Sequence, residues 1–246
     1  MSSVRSEREV RLDLAAAYRL AAARGWDDIV YTHISASVPG EPGVYLINRF
    51  GLRFDEITAS NLVKVNVHGE LVDGSGARVS ASGFAIHGCV HAARPELECV
   101  MHLHSPWGLA LSMTPEGLLP TSQFALRLHG RIARHAYEGL AFDVAEQARL
   151  VKELGSLDGL LLDHHGTLTA GRTVGEAFVL MHLFERAAEA QLRAMAACGG
   201  QVPRIGETIA QRTHQQWVGD GSARDGDDEW PALRRGLDRT APDYRD

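Results

Sequence analysis

The segment ECVMHLHSP, residues 98–106, predicts an apolar strand that turns directly into a helix. Glu98–Leu103 is a compact apolar run of strand length, and Pro106 stands in the first turn of a helix that reaches about Met113, where proline is favourable. Residues two apart on a strand point to the same face of the sheet. His102 and His104 therefore leave the sheet in one direction, at a strand-to-helix corner.

The sequence on both sides of this corner alternates between helical and strand patterns. A proline pushes the residue before it out of the α region, so the helix that begins at Gly83 stops at Arg94-Pro95. Further helices are predicted at Arg5–Arg24, Asp143–Leu154, Thr173–Ala197, Glu207–Trp217 and Trp230–Leu237. Strands are predicted at Ile29–Ser37, Val44–Asn48, Leu62–Val67, Glu70–Val72, Arg131–Tyr137 and Gly159–Leu162. This order indicates an α/β or α+β sandwich, with helices on both faces of a mixed or antiparallel sheet.

Composition and charge narrow the class of protein. The 246 residues are 45% apolar and 23% charged, as in an ordinary globular protein. We expect one main domain at residues 1–205, followed by a polar tail with short helices at 206–246. The net charge of −6 and the lack of any Lys/Arg run argue against a nucleic-acid partner.

The chain also lacks the sequence signals of export and membrane insertion. The amphipathic start has no continuous apolar core, and no later stretch approaches the ~18 to 20 apolar residues that a membrane span requires. The three cysteines, Cys89, Cys99 and Cys198, form no CxxC pair and make an odd number. We therefore expect a cytoplasmic protein in a reducing compartment, with a small molecule as its partner and no membrane association.

Histidine is over-represented, with twelve residues, and its distribution suggests a metal site. Besides His102 and His104, His165 follows the apolar strand in LLDHHG, residues 161–166, where the chain enters a glycine turn. If the two strand ends meet at one edge of the sheet, three neutral imidazoles could bind one divalent ion and leave positions open for substrate. The alternative is that His102 and His104 are half-buried strand residues bonded to the backbone.

Five separated motifs occur along the chain: GFAIH at 83–87, HAARPE at 91–96, VMHLHSP at 100–106, HAYEG at 135–139 and HHGTL at 164–168. In this order they resemble the class II aldolase/adducin family, over about Asp13–Gln191. The resemblance implies a three-layer α/β/α fold with a central, mainly antiparallel sheet, and a homotetramer with active sites at subunit interfaces. It also implies one divalent metal ion, zinc, manganese, iron or cobalt, held by His102, His104 and His165. His164 falls where many members have asparagine.

Two departures from the family's sugar-phosphate aldolases affect the expected substrate. Gly83 stands where those enzymes carry a glutamate that moves a proton, and glycine has no side chain to serve as a base. The family's phosphate-binding segments appear here as Thr32-His33-Ile34-Ser35 and Phe50-Gly51. Arg49 and Arg53 could still pair with a carboxylate or phosphate. A phosphorylated sugar is therefore not the expected substrate.

The remaining polar residues of these motifs supply candidate site residues. The candidate catalytic residues are His33, Tyr137 and Glu138, and the candidate substrate-binding residues are Arg49, Ser82, Gly83 and Gln123. Gln123 follows a loop that could reach the site of a neighbouring subunit. His87 and His91 lie four apart on one helix, and we interpret them as structural hydrogen-bonding residues rather than as metal ligands.

Three functions remain open at this level. The first is a metal-dependent lyase that breaks a carbon–carbon bond, by retro-aldol cleavage or decarboxylation, in a small hydroxy-carbonyl or hydroxy-carboxylate substrate. The second is a non-haem iron(II) oxygenase acting on an aromatic or hydroxy acid. The third is a non-catalytic assembly module like that of the adducins. Decarboxylation tolerates Gly83 best, because CO2 leaves its bonding electrons behind and needs no base to start.

Overall fold

One seven-stranded mixed sheet organises the computed structural model, which describes residues 5–140, 144–219 and 224–246, without the side chains at 81, 82, 84 and 144. The strands are β1 His33–Ser37, β2 Val44–Ile47, β3 Val63–Asn66, β4 Cys99–Leu103, β5 Ile132–His135, β6 Gly159–Leu162 and β7 Gly166–Gly171. Their order across the sheet is β3-β2-β1-β4-β7-β6-β5. Only β5 and β6 run parallel among these strands, and every other neighbouring pair is antiparallel.

Eight α-helices are found in the described part of the chain. They are α1 Glu7–Ala22, α2 Ala81–Ala93, α3 Pro106–Ser112, α4 Gln123–Arg127, α5 Val144–Leu154, α6 Val174–Ala197, α7 Glu207–Val218 and α8 Glu229–Thr240. Short 3-10 turns occur at Phe54–Glu56 and Pro242–Arg245. Ser6 and Glu9 form a capping box at the start of α1, which fixes that end of the first helix.

The helices cover both faces of the sheet. Met101 and Leu103 of β4 pack into a core with α1, α6 and α8, whereas Val100 packs with α2 and α5 on the opposite face. Alternation along β4 places His102 on the same side as Val100. The predicted three-layer α/β/α architecture around a mainly antiparallel sheet is confirmed.

The C-terminal helix α8 packs against α1. The indole Nε1 of Trp230 donates a hydrogen bond to Asp13 (2.9 Å), and Arg234 pairs with the same carboxylate at 2.7 Å. Trp230, Leu237 and Tyr244 are buried in the core that α1 and α6 share. Helices α7 and α8 correspond to the two short helices expected after residue 205. The division of the chain at that residue stays a prediction.

Two predictions about the strands were wrong, and one strand was not predicted. The strand expected from Ile29 begins only at His33, because Ile29 (φ 52°) and Thr32 (φ 64°) lie in the left-handed region, which interrupts an extended backbone. Residues 70–72 form no strand but contribute one isolated bridge, from Leu71 to Val65. The central strand β7 was missed, because its sequence, GTLTAG, is poor in large apolar residues.

Within the residues that the structure describes, no helix combines the length and the apolarity needed to cross a bilayer.

Candidate metal centre

Three histidines converge at one end of the central strands. His102 lies on β4, His104 follows that strand, and His165 lies in the turn between β6 and β7. One ring nitrogen from each can be chosen so that all three lie within 4.8 Å of one another. The ring centroids are 5.1 Å apart for His102 and His104, 4.7 Å for His102 and His165, and 5.0 Å for His104 and His165. This near-equilateral set could hold one divalent ion with an open side.

The β6–β7 turn brings His165 to this position. Gly166 has φ 152°, and a Cβ atom there would overlap the carbonyl oxygen of Leu103 on β4. The close approach of the two backbones therefore requires glycine. His164, in the same turn, adopts a left-handed φ of 55° and is exposed, so the turn separates the two adjacent histidines.

Hydrogen bonds to the outer nitrogens orient two of the three rings. His102 Nδ1 lies 3.1 Å from the carbonyl oxygen of Thr167, and His104 Nδ1 lies 2.9 Å from Oδ2 of Asp28. In this geometry Nδ1–H donates and Nε2 keeps its lone pair, the arrangement that metal-binding histidines usually show. His104 Nε2 is buried and has no hydrogen-bond partner in the described part of the chain. An orphaned nitrogen facing two other imidazoles fits a metal ligand.

Burial also fixes the protonation state that a ligand needs. It lowers the pKa of His165 to about 4, with the neighbouring His104 and His135 as further causes. It lowers the pKa of His102 well below the ordinary value of 6.5, with His165 as the next cause. Both rings are therefore neutral near pH 7, and only a neutral imidazole has a lone pair to give to a metal ion.

Asp28 provides a test of the orienting hydrogen bonds. We expect Asp28→Ala to lower the zinc affinity of the protein by about 10- to 100-fold, because His104 loses the carboxylate that fixes its tautomer. The affinity is measured by competition with a chromophoric chelator. The matched control is Asp27→Ala at the adjacent residue, which makes no hydrogen bond to these described histidines. Equal zinc affinities for the two variants would contradict the role of Asp28.

His33 and Gly83 meet beside the three histidines. His33 on β1 is paired in register with His102 on β4, and their ring centroids are 5.4 Å apart. A Cβ atom at Gly83 would lie 3.0 Å from Cδ2 and 3.3 Å from Nε2 of His33. The imidazole thus fills the space next to Gly83, and a side chain at position 83 requires the ring to move. The side chain of Ser82 lies outside the described residues.

The other predicted site residues lie elsewhere on the surface of this single chain. Tyr137 is 54% exposed, and Glu138 is held by a salt bridge to Arg149 that lowers its carboxyl pKa. Arg49 and Gln123 are exposed. None of these residues makes a hydrogen bond or a ring contact with the three described histidines.

The segment that carries Asp28 has an unusual backbone. Ile29 and Thr32 are β-branched residues with φ of 52° and 64°, a conformation that is rare for such side chains and costs energy. The Thr32 hydroxyl is buried without a hydrogen-bond partner among the described residues. Sequence reasoning missed both Asp28 and this conformation. Nothing near Asp28 in the sequence signals a contact with a histidine 76 residues away.

Comparisons with known proteins identify the family and the fold of this chain. The profile of the family described as Class II Aldolase and Adducin N-terminal domain matches residues 12–192. An aldolase II superfamily protein from Pseudomonas syringae is 43% identical, with a TM-score of 0.93 over 100% of this chain and 98% of that one. L-fuculose 1-phosphate aldolase from Glaciozyma antarctica is 29% identical, with a TM-score of 0.87 over 100% and 96%. Alpha-adducin from Rattus norvegicus is 39% identical over 98% of this chain and 35% of its own length.

Proposed function

Because this chain belongs to the class II aldolase and adducin family, we propose that it is a divalent-metal-dependent carbon–carbon lyase. Its substrate is a small hydroxy-carbonyl or hydroxy-carboxylate compound. The observation that carries the proposal is the convergence of His102, His104 and His165, with the outer nitrogens of the first two held by a carbonyl and a carboxylate.

His102, His104 and His165 would hold the ion through ring nitrogens, as three-histidine metal sites that bind substrate do. When bound, the ion would polarise the substrate oxygens and spread the negative charge that bond cleavage leaves on carbon. His33, whose ring contacts that of His102, is the candidate proton-handling group, and its Nε2 would lie 3.3 Å from a Cβ atom at Gly83. Decarboxylation is the reaction this arrangement favours, because the step that follows loss of CO2 needs a proton donor rather than a strong base.

We also propose that the protein assembles as a homotetramer. A homotetramer would bring Tyr137, Glu138 and Gln123, which are exposed on the single chain, towards the metal centre of a neighbouring subunit. Arg49, exposed and without an ion-pair partner in the described part of the chain, would then pair with a carboxylate of the substrate.

Titration of the metal-free protein tests the lyase proposal. Zinc, manganese, cobalt and iron(II) are added separately, and release of CO2 or aldehyde is followed over a panel of small hydroxy acids and hydroxy-carbonyl compounds. We expect turnover with at least one metal and none without. Oxygen uptake by the iron(II) form without CO2 or aldehyde release would favour an oxygenase, and silence with every metal would reject catalysis by this centre.

A second candidate function has a specific observation in its favour. Alpha-adducin aligns with nearly the whole of this chain at 39% identity, which supports a non-catalytic assembly module. The zinc content of the purified protein separates the two proposals. A lyase binds about one ion per chain at its three histidines, whereas a module that has lost catalysis has no requirement for the ion.

A further inference from the structure

A continuous row of hydrogen-bonded side chains leads away from the candidate metal centre. His33 Nδ1 lies 2.8 Å from His87 Nε2, and His87 Nδ1 lies 2.5 Å from Ser35 Oγ. Ser35 Oγ also lies 2.7 Å from His91 Nε2, and His91 Nδ1 lies 3.2 Å from Ser37 Oγ. These five residues are called the histidine–serine row below.

The row runs between β1 and α2 and joins two different environments. Its inner end, His33, lies beside His102 and is only 3% exposed. Its outer end, Ser37, lies at the opposite end of β1 and, with the adjacent His91, lines a cavity of about 640 Å³. The three intermediate members, His87, Ser35 and His91, are buried. A polar path therefore crosses the interior from the metal centre to a separate cavity.

We propose that the histidine–serine row is a proton relay that supplies and removes the proton used at His33 Nε2. This inference rests on the proposed lyase function, because cleavage leaves a carbanion that must be protonated. The relay assigns to His33 the proton transfer for which position 83 has no side chain. It makes His87, Ser35 and His91 positioning residues, since they act only through His33.

Each transfer in the relay conserves protons and charge. When His33 Nε2 accepts a proton, its Nδ1–H passes to His87 Nε2, and the Nδ1–H of His87 passes to Ser35 Oγ. The original Ser35 hydroxyl proton moves to His91 Nε2, and the Nδ1–H of His91 moves to Ser37 Oγ, whose own proton leaves for the cavity. One proton enters and one leaves, and each imidazole is neutral before and after. The reverse sequence delivers a proton to the substrate carbon.

The protonation states support a relay that works by exchange of tautomers. Burial lowers the pKa of His91 to about 4 and that of His87 well below 6.5. The rings therefore stay neutral near pH 7, and a charged imidazolium is not available to carry the proton. A neutral ring can still move one, since it accepts at one nitrogen while donating from the other.

The geometry makes a sharp prediction about tautomers. In a working relay all three rings carry their proton on the same nitrogen, either all on Nδ1 or all on Nε2, because the Ser35 hydroxyl must accept from one neighbouring ring and donate its own proton to the other. A static network permits a mixed state, in which Ser35 accepts from both His87 Nδ1–H and His91 Nε2–H. Nitrogen NMR of the full-length zinc-loaded protein, labelled at histidine, distinguishes these cases. A mixed state would overturn the relay.

A substitution at the outer end tests transmission along the row. Ser37→Asp places an acceptor without a proton beside His91, so we expect His91, His87 and His33 all to hold their proton on Nδ1. Ser35→Ala in the same background breaks the row. The aspartate at position 37 should then determine the tautomer of His91 alone. A proton on Nε2 of His33 or His87 in the single variant Ser37→Asp would contradict the proposal.

Turnover of the acid that reacts fastest in the metal titration gives a readout of catalysis. We expect Ser35→Ala to lower kcat by about 10-fold or more, with KM and zinc affinity unchanged. The control is Ser112→Ala, which removes a buried hydroxyl that, among the described residues, donates only to Leu109 within α3 and should leave kcat intact. Equal kcat values for Ser35→Ala and Ser112→Ala would reject the relay without contradicting the proposed lyase function. An inactive wild type would reject the lyase, and the NMR result would then decide the relay.

Discussion

His165→Ala is expected to weaken zinc binding by more than about 100-fold, beyond the 10- to 100-fold loss typical of an orienting residue next to the ligands. The substitution removes one corner of a triangle whose ring centroids are 4.7–5.1 Å apart. The factor corresponds to at least about 2.7 kcal/mol of binding free energy. Competition with a chromophoric chelator measures it on the full-length protein.

The adjacent histidine provides the control. His164 lies in the same turn but is exposed and left-handed, and asparagine accepts that backbone conformation. His164→Asn should therefore keep the zinc affinity of the wild type. A loss of affinity for His164→Asn as large as that for His165→Ala would mean that the turn, rather than the His165 ring, matters for binding.

Metal-free protein is expected to lose stability steeply as the pH falls below about 6.5. Unfolded histidines take up protons near their ordinary pKa of 6.5, whereas the buried ones do so only near the folded values, about 4 for His91 and about 3 for His33. Between these pH values the unfolded chain binds more protons, so the free energy of unfolding decreases with falling pH. Above about pH 7.5 these groups contribute no pH dependence.

The size of the effect comes from the number of buried imidazoles. The pKa is lowered for His33, His87, His91, His102 and His165. Each contributes up to about 1.4 kcal/mol per pH unit within its window, which is large against a typical total stability of about 5–15 kcal/mol. We therefore expect cooperative acid unfolding before the pH reaches about 4.

Urea unfolding in the presence of a chelator, from neutral pH down to about pH 5, measures the slope. His68 is exposed, and His68→Gln should leave the slope unchanged. His91→Gln should reduce it by about one histidine's contribution, whatever its effect on absolute stability. A stability that is flat between pH 6.5 and 5 would show that these imidazoles are protonated in the folded protein.

Much of the fold could be predicted from periodicity and length. The strand at 98–103 and the long helix α6 have strong patterns, and the structure places them at or within one residue of their predicted ends. β7 was not predicted because Gly166–Gly171, although buried, has few large apolar side chains. The five-residue helix α4 is too short to produce a pattern.

The sequence could predict the site only where the relative positions of its residues depend on neighbours in the chain. The spacing of His102 and His104 follows from the strand repeat, so their shared direction could be read from the sequence. Asp28 and the partners of His87 and His91 could not be predicted, because their hydrogen bonds join residues that are 52 to 76 positions apart in the sequence. The collision between a side chain at position 83 and His33 likewise depends on how α2 packs on β1. Glycine at 83 and histidine at 33 looked like independent departures from the aldolases, but they are in contact.

The segment just before β1 has a consequence for engineering this protein. Ile29 and Thr32 hold a backbone shape that glycine or asparagine would adopt with about 1–2 kcal/mol less strain per position. Substitution at these two positions is therefore an available route to higher thermostability. A consensus or directed-evolution search for heat resistance should find these two positions early, and any accompanying loss of metal affinity would reveal what the strain maintains.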